Sequence, residues 1–82
     1  MKLTKAVRNK LGSLVDVADQ TVAEVIRARG GNAANVRKAG PWADKSLTEA
    51  ATAAIQGDKA ARMAIKIAKE ARRLGRKYGG DV

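Results

Sequence analysis

The 82-residue chain contains neither cysteine nor histidine. Without cysteine no disulfide framework can form, which excludes the stapled extracellular mini-domains. The two absences together remove the usual ligands of zinc, iron–sulfur clusters and haem, and the Cys/His and Ser/His catalytic arrangements. Its carboxylates form no cluster in the sequence of the kind that binds Mg²⁺. We therefore expect a binding protein and not an enzyme, with no cofactor and no metal site.

Large apolar side chains are scarce as well. Alanine supplies 17 of the 37 hydrophobic residues, and the aromatic residues are Trp42 and Tyr78. This length supports one small domain. A core so thin should give a net stability of roughly 3–5 kcal/mol, unless a partner or self-association adds buried area. We expect residues 1–74 to form a single helical-bundle domain and residues 75–82 a basic, glycine-containing flexible tail.

No long hydrophobic run is present. The longest stretch without a charged residue is Ala50–Gly57, whereas a helix needs about 20 apolar residues to cross a bilayer. The N-terminus carries basic residues, but no apolar segment of the signal-peptide type follows them. We therefore expect no membrane span and a cytoplasmic location.

The apolar residues recur with a helical period along most of the chain. Ser13 followed by Asp16 has the spacing of a capping box, so a helix is expected to begin at Leu14. The pattern predicts an all-α fold, a small compact bundle of about four helices, one of them short. After a first run that ends near Leu11, the predicted helices are Leu14–Arg29, Ala33–Ala39, Pro41–Gln56 and Lys59–Leu74.

Each predicted helix has an apolar stripe that should face the core. In the second helix the stripe begins at Leu14 and Val15, and in the fourth it ends at Ala54 and Ile55. The stripe predicted for the last helix consists of Ala60, Met63, Ala64, Ile67, Ala68, Ala71 and Leu74.

Charge is the strongest feature of the sequence. Seventeen Lys and Arg against eight Asp and Glu give a net charge of +9, and both ends of the chain are basic. Bases three or four residues apart project from one face of a helix and repel one another, and a polyanion would relieve that repulsion. The candidate binding residues are Lys59, Arg62, Lys66, Lys69, Arg73, Arg76 and Lys77, joined by Lys2, Lys5 and Arg8 at the N-terminus.

Two partners fit this pattern best, and a solvated surface without a partner is the other interpretation of the basic side. A membrane surface fits less well, because the apolar side of the basic helix carries alanines and not the Trp, Phe and Leu of interfacial helices. The first of the two partners is nucleic acid, contacted at its phosphate backbone with little sequence specificity, because no aromatic residue alternates with the bases. The second is an acidic protein surface, which would make the chain a protein-interaction module such as an assembly component, adaptor or inhibitor. Trp42 and Tyr78 are each open to a core or a contact role, with Trp42 favoured as a core anchor.

Overall fold

The computed structural model describes residues 3–28 and 33–74, which form an all-α bundle. This confirms the predicted fold class, with four helices of seven or more residues and one of six. No strand occurs in the described part of the chain. The α-helices are α1 Lys5–Leu11, α2 Val22–Ala28, α3 Ala33–Lys38, α4 Leu47–Ile55 and α5 Lys59–Leu74, and two 3₁₀ helices span Gly12–Val17 and Gly40–Asp44.

The predicted helix from Leu14 is wrong in its first half. A 3₁₀ helix spans Gly12–Val17, and α2 begins at Val22. The capping box lies at Thr21 and Glu24, where the Glu24 backbone N–H donates to Thr21 Oγ1 over 3.1 Å and the Thr21 N–H donates to Glu24 Oε1 over 3.2 Å. This reciprocal pair satisfies N–H groups at the start of the helix, so the α-helix starts there and not after Ser13.

The predicted helix Pro41–Gln56 is likewise divided. Pro41 lies in the 3₁₀ helix Gly40–Asp44, and Lys45 then adopts an extended conformation. Ser46 caps α4, because its hydroxyl accepts the Glu49 N–H over 3.1 Å. Helix α4 therefore begins six residues later than predicted and ends at Ile55.

Helices α2 and α4 start side by side. Thr21 and Ser46 form an isolated antiparallel bridge. Across it the Val22 N–H donates to the Lys45 carbonyl over 3.0 Å, and the Leu47 N–H donates to the carbonyl of Gln20 over 2.9 Å. This connection holds together two segments that are far apart in the sequence.

The core lies where α4 is packed between α1 and α5, and α5 also packs on α2. Small side chains let helix backbones approach closely, and alanines of α4 and α5 are fully buried in their contact. Trp42 is half-buried and packs against the core, as favoured from the sequence. The largest fully buried side chains are Leu11, Leu14, Val22, Ile26 and Leu47.

The buried face of α5 is turned relative to the predicted stripe. Ala60 is exposed and Met63 is 48% exposed, whereas Ala61 and Ile65 are buried. The side chains of Val15 and Ile55, also predicted to be inside, are 37% and 43% exposed. With the Ala61–Ile65 face buried, Arg72 also lies inside, where it meets the carboxylate of Asp16 from the first 3₁₀ helix.

None of the helices in residues 3–28 and 33–74 is both long and apolar enough to cross a bilayer. The predicted tail, residues 75–82, lies outside the described residues.

Candidate functional site

The basic residues of α5 lie along one exposed side of the helix, which we call the α5 basic face. Asp58 fixes the start of this helix, because its Oδ1 accepts the Ala61 N–H over 3.0 Å. At 1.5 Å per residue, the 14 steps from the first base to the last cover about 21 Å. The face consists of Lys59, Arg62, Lys66, Lys69 and Arg73; all are exposed except Lys69, which is half-buried.

Two of these five bases contact the ends of neighbouring helices. Arg62 Nε donates a hydrogen bond of 3.2 Å to the carbonyl of Ala54, in the last turn of α4. Lys69 Nζ lies beside Gly12, the C-terminal cap of α1, at 3.7 Å from the position that a Cβ on this glycine would take. Cations near a helix C-terminus interact favourably with the helix dipole and the last carbonyls. Arg62 and Lys69 therefore help to hold the bundle together.

Arg72 does not belong to the face, although it lies between Lys69 and Arg73 in the sequence. Its side chain is 10% exposed, and its two terminal nitrogens donate hydrogen bonds of 2.7 Å each to the two carboxylate oxygens of Asp16. Such a bidentate pair has both charge and geometry in its favour. The two terminal nitrogens are therefore already paired, the Nε is buried without a hydrogen-bond partner among the described residues, and the side chain is too buried to belong to the exposed face.

This pair is not among the features predicted from the sequence. The side chain of Asp16 is 59% exposed, yet it neutralises a buried base 56 residues away. An arginine on the apolar side of a helical wheel is the one signal that could have indicated a buried partner.

Two of the three N-terminal candidate residues lie in the described part of the chain. Lys5 and Arg8 are exposed on α1, which packs on α4 as α5 does. Lys69 connects α1 to the α5 basic face through its position beside Gly12. The candidates Lys2, Arg76 and Lys77 lie outside the described residues.

Acidic residues concentrate at a different place. Four exposed carboxylates lie within three residues of the Thr21–Ser46 bridge, near the starts of α2 and α4, where negative charge suits the helix dipoles. One acid, Glu70, is exposed on α5 itself. The four carboxylates near the bridge are those of Asp19, Glu24, Asp44 and Glu49.

The described part of the chain has few other groups arranged to bind a metal ion or to act as a nucleophile. Within it, no group of three or more acidic side chains is placed to hold a metal ion. The hydroxyls of Thr4, Thr21 and Ser46 accept backbone hydrogen bonds at helix starts, and the buried Thr48 hydroxyl donates to the Ala18 carbonyl over 3.0 Å. The main candidate binding surface is therefore the α5 basic face.

No protein-family model, curated protein or solved structure matches the chain. Its function must therefore be inferred from its own side chains.

Proposed function

We propose that this protein binds nucleic acid by contacting the phosphate backbone with the α5 basic face. The proposal rests on the line of five bases along about 21 Å of α5. Glu70 is the one acid of this helix past its N-cap. Like charges three or four residues apart destabilise a helix by a few tenths of a kcal/mol per pair. Phosphates that replace counterions would remove that cost and gain the entropy of counterion release.

The side chains of this face favour contact with the backbone over recognition of bases. Helix α5 carries no aromatic residue on which a base could stack, and Trp42 packs against the core. Phosphate contacts position a protein without reading the sequence. We therefore expect binding to depend strongly on salt and weakly on the nucleotide sequence.

The test is the salt dependence of binding to a duplex DNA. If all five bases of the face meet phosphates, log K should fall with log salt at a slope of about −4.5, or about 0.9 per contact. The exposed bases that make no described contact with another helix end are Lys59, Lys66 and Arg73. Replacing these three by Gln should flatten the slope by about 2.7 and leave the helical circular dichroism unchanged.

A matched control removes the same amount of charge elsewhere. Arg27, Lys38 and Lys45 are exposed and lie outside α5. Their replacement by Gln lowers the net charge equally, so the slope should change by less than about one unit if the α5 basic face makes the contacts. Equal effects of the two triple variants would show that net charge, and not this face, governs binding. A scrambled DNA sequence should bind about as well as the original.

One observation favours the second candidate, an acidic protein surface. Met63 is 48% exposed on α5 next to the bases Arg62 and Lys59, and exposed methionines are common at adaptable protein-binding surfaces. Binding to DNA that is negligible near 50 mM salt would decide for this candidate. In that case Met63→Ser should weaken binding to the protein partner, whereas phosphate binding should not depend on this side chain.

A further inference from the structure

In the described part of the chain the exposed large apolar side chains lie at two places. Val15 is 37% exposed and lines a groove between the first 3₁₀ helix and the start of α4. Ile55 and Met63 are 43% and 48% exposed, on the two sides of the turn that joins α4 to α5. The charges around the two places decide what each can bind.

The groove has an apolar wall and an acidic rim. Its volume is about 410 Å³, which lies within the range of ligand-binding clefts. The carboxylate of Asp19 is exposed at the groove. Ser46 also lines it and accepts a hydrogen bond from the backbone N–H of Glu49, whose exposed side chain lies in the first turn of α4. The apolar residues of the wall are Leu3, Val15 and Ala18.

Met63 has the opposite surroundings. Lys59 precedes it by four residues and Lys66 follows it by three, so all three side chains lie on one face of α5. Each of the three is exposed. A flexible methionine adapts readily to an apolar surface. The segment Lys59–Met63–Lys66, which we call the Met63 ridge, is therefore apolar at its centre and basic at both ends.

The groove and the Met63 ridge lie at opposite ends of the α4–α5 pair. The groove is at the start of α4, and the ridge is beside the turn that follows the end of α4. Arg72, which is hydrogen-bonded to Asp16 in the wall of the groove, is nine residues beyond Met63, or about 13 Å along α5. Met63 therefore cannot enter the groove of its own chain, and a contact between the two sites has to join two molecules.

We propose that the Met63 ridge of one copy of this chain docks in the groove of a second copy. Met63 enters beside Val15, and the two lysines of the ridge face Asp19 and Glu49 of the second copy. The match of an apolar centre and of opposite charges favours this occupant. Such a contact is heterologous, because it joins different surfaces of the two copies. Each pair keeps one free groove and one free ridge, so assemblies extend as the protein concentration rises.

The net charge of +9 opposes this association at long range. At an ionic strength of 0.15 M, exposed charges more than about 8 Å apart are largely screened, whereas charges in contact across an interface are screened less. We therefore expect a weak contact that forms near physiological salt. This inference does not depend on the proposed function. If both hold, nucleic acid and the groove compete for Lys59 and Lys66.

The test uses the absence of cysteine from the chain. Equal amounts of the Val15→Cys and Met63→Cys proteins, one of them labelled with ¹⁵N, are oxidised near 0.15 M salt without nucleic acid, and mass spectrometry identifies the products. A disulfide needs Cα atoms about 4.4–6.8 Å apart. The mixed disulfide should exceed its share from random pairing several-fold. As a control, Asn9→Cys replaces Met63→Cys, because Asn9 is exposed between two bases of α1; it should give only the random share.

Reversal of charge tests the pairing of the two surfaces. Asp19→Lys in the Val15→Cys protein should remove the excess of mixed disulfide, and Lys59→Glu in the Met63→Cys protein should restore it. The proposal is overturned if the mixed disulfide stays at its random share, or if Asn9→Cys forms it equally well. It is also overturned if disulfides between two identical variants dominate, because the contact would then join like surfaces.

Discussion

The Asp16–Arg72 pair predicts an asymmetry in stability that can be measured. The guanidinium of Arg72 is nine-tenths buried, whereas more than half of the Asp16 side chain is in contact with solvent. Removing the acid leaves a buried charge without a counter-charge. Removing the base leaves an acid that water can hydrate. We therefore expect Asp16→Ala to cost more than Arg72→Met, although the second change removes the larger side chain from the bundle.

The magnitude follows from the burial of the two partners. Breaking a fully buried pair by removing one partner costs about 3–5 kcal/mol. The exposure of Asp16 brings solvent to the pair and weakens it, so we expect Asp16→Ala to cost roughly 2 kcal/mol. For a domain of this size that lowers the melting temperature by about 8–16 °C. Arg72→Met removes the desolvated charge and keeps an unbranched apolar stem, so its cost should stay below about 1 kcal/mol.

Urea denaturation followed by circular dichroism at 222 nm would measure both single variants and the double variant. In the Arg72→Met background, Asp16→Ala should cost clearly less than in the parent, because the buried charge is already gone. Asp19→Ala is the matched control, an exposed acid close in sequence, and should change stability by less than about 0.5 kcal/mol. If Asp16→Ala destabilises both backgrounds equally, or if Arg72→Met is the more damaging change, the ion pair does not stabilise the position of α5.

Two further predictions concern the core and one turn. Leu14→Ala removes a fully buried side chain and should cost about 2–5 kcal/mol, with Ile67→Ala nearer the lower value. Ile55→Ala changes a 43% exposed position and should cost less than about 1 kcal/mol. Equal melting temperatures for Leu14→Ala and Ile55→Ala would contradict this assignment of the core. Gly12 has a φ of +55°, which residues with an L side chain rarely adopt, so Gly12→Ala should destabilise the protein by about 1–3 kcal/mol. Ser13→Ala is the control, and an unchanged melting temperature for Gly12→Ala would show that the turn tolerates another conformation.

The last helix is the element that the sequence predicted best. Its bounds, Lys59–Leu74, agree with the structure at both ends, because Asp58 is an N-cap next to a long periodic pattern. The exposure of Lys59, Lys66 and Arg73 followed from the same period. The contacts of Arg62 with α4 and of Lys69 with the end of α1 could not be predicted, since they depend on which helices become neighbours.

The incorrect helix starts have a different origin. Two segments, Thr21–Glu24 and Ser46–Glu49, carry the Ser/Thr-x-x-Glu pattern of a helix start. The predicted starts rest instead on the weaker Ser13–Asp16 spacing and on Pro41. The structure favours the two Glu-containing segments because they also pair with each other across the Thr21–Ser46 bridge. That long-range pairing adds stability to both starts at once, and it leaves no trace in either local sequence.

The rotation of α5 involves both core packing and a long-range ion pair. With Met63 inside, the stripe would be Ala60, Met63, Ile67 and Leu74, and Arg72 would remain in solvent. With Ile65 inside, Arg72 is buried and needs the carboxylate of Asp16. A β-branched Ile65 in the core and an ion pair at the helix end together outweigh the burial of one flexible methionine.

The distribution of charge in the bundle separates structural bases from surplus ones. Carboxylates gather where α2 and α4 begin, and Arg62 and Lys69 lie at the ends of α4 and α1, so these charges complement the helix dipoles. Arg72 is neutralised by Asp16. After these uses, Lys59, Lys66 and Arg73 remain exposed along α5, on a chain of net charge +9. Because the fold does not need these three bases, their alignment on one helix side is the feature that a polyanionic partner would best explain.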